Sequence, residues 1–223
     1  MEKLIRGVDT FQNRYFNQHE DLFLRLTKGQ TPEALFITCS DSRISPNLLT
    51  QTEPGELFIL RNAGNIIPAH GSLNNGEAAT VEFAVTGLGI KDIIVCGHTH
   101  CGAMAALLNP DHLSEMPAMR EWLKHAEATR LIVKDHYGHL PEEAQMLAAI
   151  EENVLVQIEH LRTLPAVASA LVSGSLRLHG WVYLIEKGEV LAYDGKEQAF
   201  LPLKLSEGSA IQRPLRRTQQ QPE

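Results

Sequence analysis

Apolar residues recur at two different periods along this chain, and the switches between them outline a fold. Leu4, Val8, Phe11 and Tyr15 are spaced by three or four residues, and Leu22, Phe23 and Leu26 repeat the habit, which predicts two N-terminal helices, the first amphipathic. Lys28-Gly29-Gln30-Thr31-Pro32 halts the second helix, and the apolar run Ala34-Leu35-Phe36-Ile37-Thr38 follows as a strand ending at Cys39. Ser45-Pro46 has the form of a helix start, because a serine oxygen can take a free amide and proline at the first position gives up no needed donor. Pro54-Gly55 marks a turn, and Leu57-Phe58-Ile59-Leu60 is a second strand. Asn74-Asn75-Gly76 precedes a helical run from Glu77 to Gly87, after which Asp92-Ile93-Ile94-Val95-Cys96-Gly97 forms a third strand with His98 just past its end.

These strands are apolar throughout rather than alternating, the pattern of strands buried on both faces of a parallel sheet. The predicted class is α/β: a central, mostly parallel sheet flanked by helices. Two further helices follow. Glu121 to Tyr137 carries Trp122, Ala126, Thr129 and Val133 on one stripe, and Glu142 to Thr163 carries Leu147, Ile150, Val154 and Ile158 on another, ended by Pro165. Leu178 to Ile185 returns to strand character, Glu186-Lys187-Gly188-Glu189 is a turn, and Val190-Leu191-Ala192-Tyr193 pairs back as an antiparallel edge strand. No internal repeat or second domain is visible. Residues 1–205 read as one domain and 206–223, which lose periodicity and include Gln219-Gln220-Gln221, as a mobile tail.

A chain of 223 residues is long enough for one sizeable core. No stretch approaches the ~18 uninterrupted apolar residues of a membrane helix. The start, Met1-Glu2-Lys3-Leu4-Ile5-Arg6, is charged where a signal peptide needs its apolar segment, so a cytoplasmic location is expected. A net charge of −7 opposes a nucleic-acid surface, although Arg213, Arg216 and Arg217 make the tail locally basic. The three cysteines are an odd number in a chain too large to need stapling, which shifts weight from disulfides towards metal or reactive roles.

That shift brings two strand ends together. In open α/β sheets ligands collect beyond the carboxyl ends of the strands, where Cys39, His98 and Cys101 fall. Two cysteines and a histidine are the donors of a zinc site with a fourth position open. Asp41 and Arg43 follow Cys39 at alternate positions: the carboxylate can accept a hydrogen bond from water on the metal or take the open position itself, and the guanidinium can hold it away. A closed structural site, with His100 or Asp41 as fourth ligand, is the rival. Cys96 lies inside the third strand and reads as core. His100 is expected to point elsewhere, and the remaining histidines are scattered surface or satisfied core groups.

Four pieces together resemble the β-class carbonic anhydrases: Cys39-Ser40-Asp41-Ser42-Arg43, Pro54-Gly55-Glu56-Leu57-Phe58, Arg61-Asn62-Ala63-Gly64-Asn65 and Gly97-His98-Thr99-His100-Cys101-Gly102. The resemblance implies zinc held by Cys39, His98 and Cys101, and Asp41 and Arg43 as a gating pair with Asp41 as fourth ligand in a closed state. It also implies hydration of carbon dioxide to bicarbonate by a zinc-bound hydroxide. Gln30 matches a glutamine that reaches bicarbonate from the adjacent subunit, and Gly102, Phe58, Ala63 and Phe83 match the rest of the pocket. Phe83 stands where the plant branch has tyrosine, and Phe36 where the bicarbonate-regulated branch has tryptophan, so no such regulation is expected. A homodimer or higher homo-oligomer is implied, with the N-terminal helices packing on a partner subunit. Leu178 to Tyr183 and Gly188 to Asp194 look most like the carboxysome-associated branch, which implies carboxysome proteins as partners and the carboxysome as a location, while the short tail stands against docking there. The same fold also hosts carbon disulfide and carbonyl sulfide hydrolysis, and a silent zinc scaffold is the reading outside enzymology.

Overall fold

The computed structural model describes residues 1–72 and 76–204. Asn74 and Asn75, and the tail with Arg213, Arg216 and Arg217, lie outside the described residues. The N-terminal segment is helical in three pieces, α1 (Glu2–Thr10), α2 (Phe16–Gln18) and α3 (Glu20–Leu26), with a wider turn at Phe11–Tyr15 joining the first two. None of these pieces buries a residue, and Leu4, Ile5, Val8, Phe11 and Tyr15 stay exposed.

The strands are β1 (Ala34–Cys39), β2 (Leu57–Asn62), β3 (Asp92–His98), β4 (Arg177–Leu184), β5 (Glu189–Asp194) and β6 (Ala199–Pro202), in the order β2-β1-β3-β4-β5-β6. The first four are parallel and the last two antiparallel. Val190 to Tyr193 therefore does pair back as expected, but it is not the edge: β6 covers it. That strand is four residues long, ends in proline and is exposed at its end, which leaves little pattern to read.

Every residue of β1 is buried, as its continuous apolar run requires. β4 alternates instead, with Leu178, Gly180, Val182 and Leu184 buried on one face. The larger core fills the face covered by α5 (Gly76–Glu82), α6 (Gly102–Leu108), α7 (Pro117–Leu123), α8 (Glu127–Ile132), α9 (Glu142–Thr163) and α10 (Pro165–Val172). A smaller cluster of Ala34, Phe36, Ile44, Ile94 and Cys96 lies on the other face, with Leu49, Leu57, Trp181 and Tyr183 against it. The single-turn helix α4 (Pro46–Thr50), which precedes β2 in the chain and stands apart from the helical layer, starts at Pro46 as predicted, but the exposed Ser45 hydroxyl caps nothing; its carbonyl accepts the Leu49 N–H at 2.9 Å instead.

Two predicted helices are less regular than their stripes suggest. Glu121 to Tyr137 is divided into α7, a tight turn at Lys124–Ala126, α8 and a wide turn at Val133–Tyr137, yet Ala126, Thr129 and Val133 are all buried. Along α9 the stripe continues as Ile150, Val154 and Ile158, whereas Leu147 is exposed beside a surface groove. Gly97 sits where β3 meets this helix: a Cβ there would stand 3.0 Å from Ile150 Cγ2 and 3.1 Å from Val154 Cγ2, so glycine sets the approach of helix to strand.

Candidate metal centre

Thr38 pairs with Cys96, so Cys39 and His98 end neighbouring parallel strands just beyond their last shared pair. Cys101 follows a turn in which His100 takes the left-handed conformation (φ 57°) and is itself the residue before α6. The turn folds Cys101 back over the strand ends, and its sulfur lies 4.0 Å from that of Cys39. Both sulfurs and one nitrogen of His98 lie within 4.8 Å of one another, and all three residues are buried.

The donors fit a zinc ion. At a Zn–S length of about 2.3 Å, tetrahedral geometry separates two sulfurs by about 3.8 Å, close to the separation here. His98 Nδ1 faces the Thr99 carbonyl at 2.9 Å, an acceptor only, so Nδ1 carries the proton and Nε2 presents its lone pair. That Nε2 is buried with no hydrogen-bond partner. A bare buried acceptor is costly, and a metal ion among these donors satisfies it. The Cys39 thiol is pushed down, chiefly by the hydrogen bond from Cys101 and also by the Gly64 N–H, while Cys101 is pushed up as the proton holder of the pair. Cys96, wholly buried, is pushed up to about 12 by desolvation and stands outside the cluster, as expected of core.

Asp41 leans away from the donors and onto Arg43. Arg43 Nε and its backbone N–H each donate to Asp41 Oδ1 at 2.9 Å, and Nη2 donates to Oδ2 at 2.7 Å. These bonds hold the carboxyl well below the usual carboxylate range. Oδ2 remains 4.0 Å from His98 Nε2. Arg43 Nη2 also donates to the His100 carbonyl at 2.9 Å, which joins the Cys39 loop to the turn before Cys101.

Arg61 braces the same loop from β2. Its Nε donates to the Cys39 carbonyl at 3.0 Å, and Nη2 donates to the Asp41 and Ile44 carbonyls at 2.7 and 3.0 Å. Beyond it, Gly64 (φ 81°) aims its N–H at Cys39 Sγ, 3.4 Å away. The Gly64 carbonyl accepts Asn153 Nδ2 at 2.9 Å, Asn153 Oδ1 accepts Gln157 Nε2 at 2.9 Å, and Gln157 Oε1 accepts the Ile67 N–H at 2.9 Å. Asn153 and Gln157 escaped the reading of the sequence. The signal available was two amides four residues apart on α9, interleaved with the apolar stripe.

The other pocket candidates divide. Phe58 and Phe83 approach with ring centres 6.0 Å apart, Phe83 half exposed. The Ala63 carbonyl accepts Trp122 Nε1 at 2.8 Å, and Gly102 is exposed at the start of α6. Gln30 is exposed in the loop before β1, the opposite end of the strand from Cys39. His100 points outward, its Nε2 3.6 Å from Glu186 Oε2, as expected of a non-ligand. A groove of about 1410 Å³ runs along the outer side of this turn and reaches Thr99 and His100 but none of the three donors.

A model of the family described as "Carbonic anhydrase" matches residues 34–190, the span that includes every donor. The chain belongs to the carbonic anhydrase family. A carbonic anhydrase of Synechocystis is 55% identical over 196 residues, covering 87% of this chain and 72% of that one. A carbonic anhydrase of Pseudomonas aeruginosa is 49% identical over 91% of this chain and 92% of its own. Among solved structures, the β-carbonic anhydrase CcaA superposes with a TM-score of 0.90 at 52% identity over 92% of both chains, and a tetrameric β-carbonic anhydrase of Sordaria macrospora with 0.77 at 26%, covering 86% of this chain and 95% of that one. This β-class chain is therefore an enzyme, a carbonate dehydratase that uses zinc and acts on carbon dioxide and bicarbonate. Among the described residues no helix is long and apolar enough to cross a membrane.

Proposed function

We propose that Cys39, His98 and Cys101 are the zinc ligands and that Asp41 and Arg43 govern the fourth position in the reversible hydration of carbon dioxide to bicarbonate and a proton. The observation that carries this assignment is the unpartnered, buried Nε2 of His98 facing two cysteine sulfurs beside a carboxylate drawn off by arginine. Zinc, when bound, supplies a Lewis acid that makes water nucleophilic near neutral pH. The rest is done by the chain. Two thiolates and a neutral imidazole balance the metal charge. Asp41 stays ionised through Arg43, and Oδ2, the oxygen nearer His98, accepts a hydrogen bond from the reacting water and turns its lone pair towards the carbon. With both carboxylate oxygens engaged by Arg43, Asp41 would leave the fourth ligand position of a bound zinc open; released from Arg43, it would itself be the fourth ligand of the closed state.

Phe58, Ala63 and Phe83 give apolar walls suited to a substrate without a dipole, and the Gly102 N–H offers a donor to a bicarbonate oxygen. The exposed apolar side chains of the N-terminal helices, none of them buried on their own subunit, support a homodimer in which this arm lies on a second copy. Gln30, beyond the far end of β1, then serves the partner's pocket.

Stopped-flow hydration with a pH indicator at about pH 8.5 tests the assignment. Protein carrying one zinc per chain should accelerate hydration, and Cys101→Ser should lose both the metal and the acceleration. A flat trace from fully zinc-loaded protein refutes it.

A further inference from the structure

The turn between two of the donors is tied down from outside. Every polar atom of Thr99, the residue after His98, has a partner. Its N–H donates to the Tyr183 carbonyl at 3.0 Å, and its hydroxyl accepts the Ile185 N–H at 2.9 Å and donates to Glu186 Oε2 at 2.7 Å. Its carbonyl accepts Nδ1–H of His98 at 2.9 Å. Three of these four bonds go to one short stretch where β4, in register with β3 at His98 and Tyr183, enters a turn closed by the Lys187 and Gly188 N–H groups on the Leu184 carbonyl. Two of the three use backbone of that stretch and persist whatever its side chains are. Glu186 is the one side chain in the clamp, and its carboxylate also faces His100.

We propose that Glu186 is a positioning residue of the metal centre: its carboxylate fixes the Thr99 hydroxyl, and through Thr99 the carbonyl that orients His98. This rests on the reading of Cys39, His98 and Cys101 as zinc ligands.

The partner of a ligating imidazole sets its tautomer and ring direction, and loss of such a partner typically costs about 10- to 100-fold in metal affinity. Glu186 acts one residue further out, so the lower end, about tenfold, is expected. The Thr99 hydroxyl is charge-assisted by a carboxylate acceptor, and a glutamine oxygen at the same place keeps the geometry without the charge. The β4–β5 turn retains its backbone bonds in either variant, so the fold does not depend on the side chain.

The test uses the full chain, competition for zinc against a chromophoric chelator, and the visible spectrum of the cobalt-substituted protein. Glu186→Ala and Thr99→Val should each surrender zinc about tenfold more readily and change the cobalt bands, whereas Glu186→Gln, Thr99→Ser and the neighbouring Lys187→Ala stay within about twofold. If Glu186→Ala holds zinc within twofold of the native protein with a superimposable cobalt spectrum, the proposal is overturned, whatever Thr99→Val does. Should Glu186→Ala express too poorly to assay, Glu186→Leu, which keeps the bulk and removes the acceptor, decides by the same criterion. A native chain that takes up no zinc overturns the ligand assignment itself.

Discussion

Replacing Asn153 by alanine would strike the metal centre from behind. Asn153 is buried, as is Gln157, and it is the middle of a relay from α9 to the loop that presents Gly64 to Cys39. Alanine removes two hydrogen bonds at once and leaves two groups bare in the core: the Gly64 carbonyl, and one N–H of the Gln157 amide. Each stranded group costs about 1–3 kcal/mol, so the expected loss is about 2–6 kcal/mol, a large share of the ~5–15 kcal/mol that holds a domain together. At about 2–4 °C per kcal/mol for a domain of this size, melting should fall by at least about 4 °C, with a centre near 12 °C. The consequence for the site follows from the same bonds: with its carbonyl released, Gly64 no longer aims its N–H at Cys39 Sγ. Calorimetric unfolding of zinc-loaded protein together with chelator competition reads both effects. Melting within 2 °C of the native protein and unchanged zinc retention would refute the claim that this relay carries the loop.

Two further outcomes are accessible to simple measurements. Burial raises the pKa of Asp92, but Arg177 (Nε at 2.8 Å, Nη2 at 2.6 Å) and His179 (Nε2 at 2.7 Å) outweigh it and leave the carboxyl lowered. A lowered folded-state pKa means stability present above the unfolded value of about 3.9 and lost as pH falls through the folded one. Asp92→Asn should therefore lower melting at pH 7 by about 2–8 °C, for a loss of about 1–2 kcal/mol, with the difference from native shrinking below pH 4; a constant gap across that range contradicts the pairing. Gly97→Ala inserts a methyl against Ile150 and Val154 and should cost about 1–3 kcal/mol in denaturant unfolding, and a variant as stable as native would show that α9 yields freely.

How much of this was legible depended on whether an element's signal lay in its own residues. β1 and β3 announce themselves because both faces are covered and the positions between their ends are nearly all apolar. The gathering of Cys39, His98 and Cys101 and the pairing of Asp41 with Arg43 were legible because few other arrangements place those residue types at two strand ends. β6 was missed because four partly exposed residues ending in proline carry no period. The breaks at Lys124–Ala126 and Val133–Tyr137 were hidden because Ala126, Thr129 and Val133 stay inward through them, so the stripe survives the irregularity. The clamp of Glu186 on Thr99 spans 87 positions and uses residue types common on any surface, and only the pairing of β3 with β4 brings it together.

The parallel alignment of β1 with β3 also has a kinetic side. Cys39 and His98 meet only after a long crossover has been closed and two non-adjacent segments have paired, a step that costs loop entropy before contacts reward it. An ion held by both, as the proposed ligand assignment has it, therefore finds its full donor set only in a chain whose central sheet is already built. Captured that late, the ion leaves the folding barrier untouched and deepens the folded well, so its stabilisation is felt as slower escape from the native state. On that assignment the metal is a lock fitted after the door is hung.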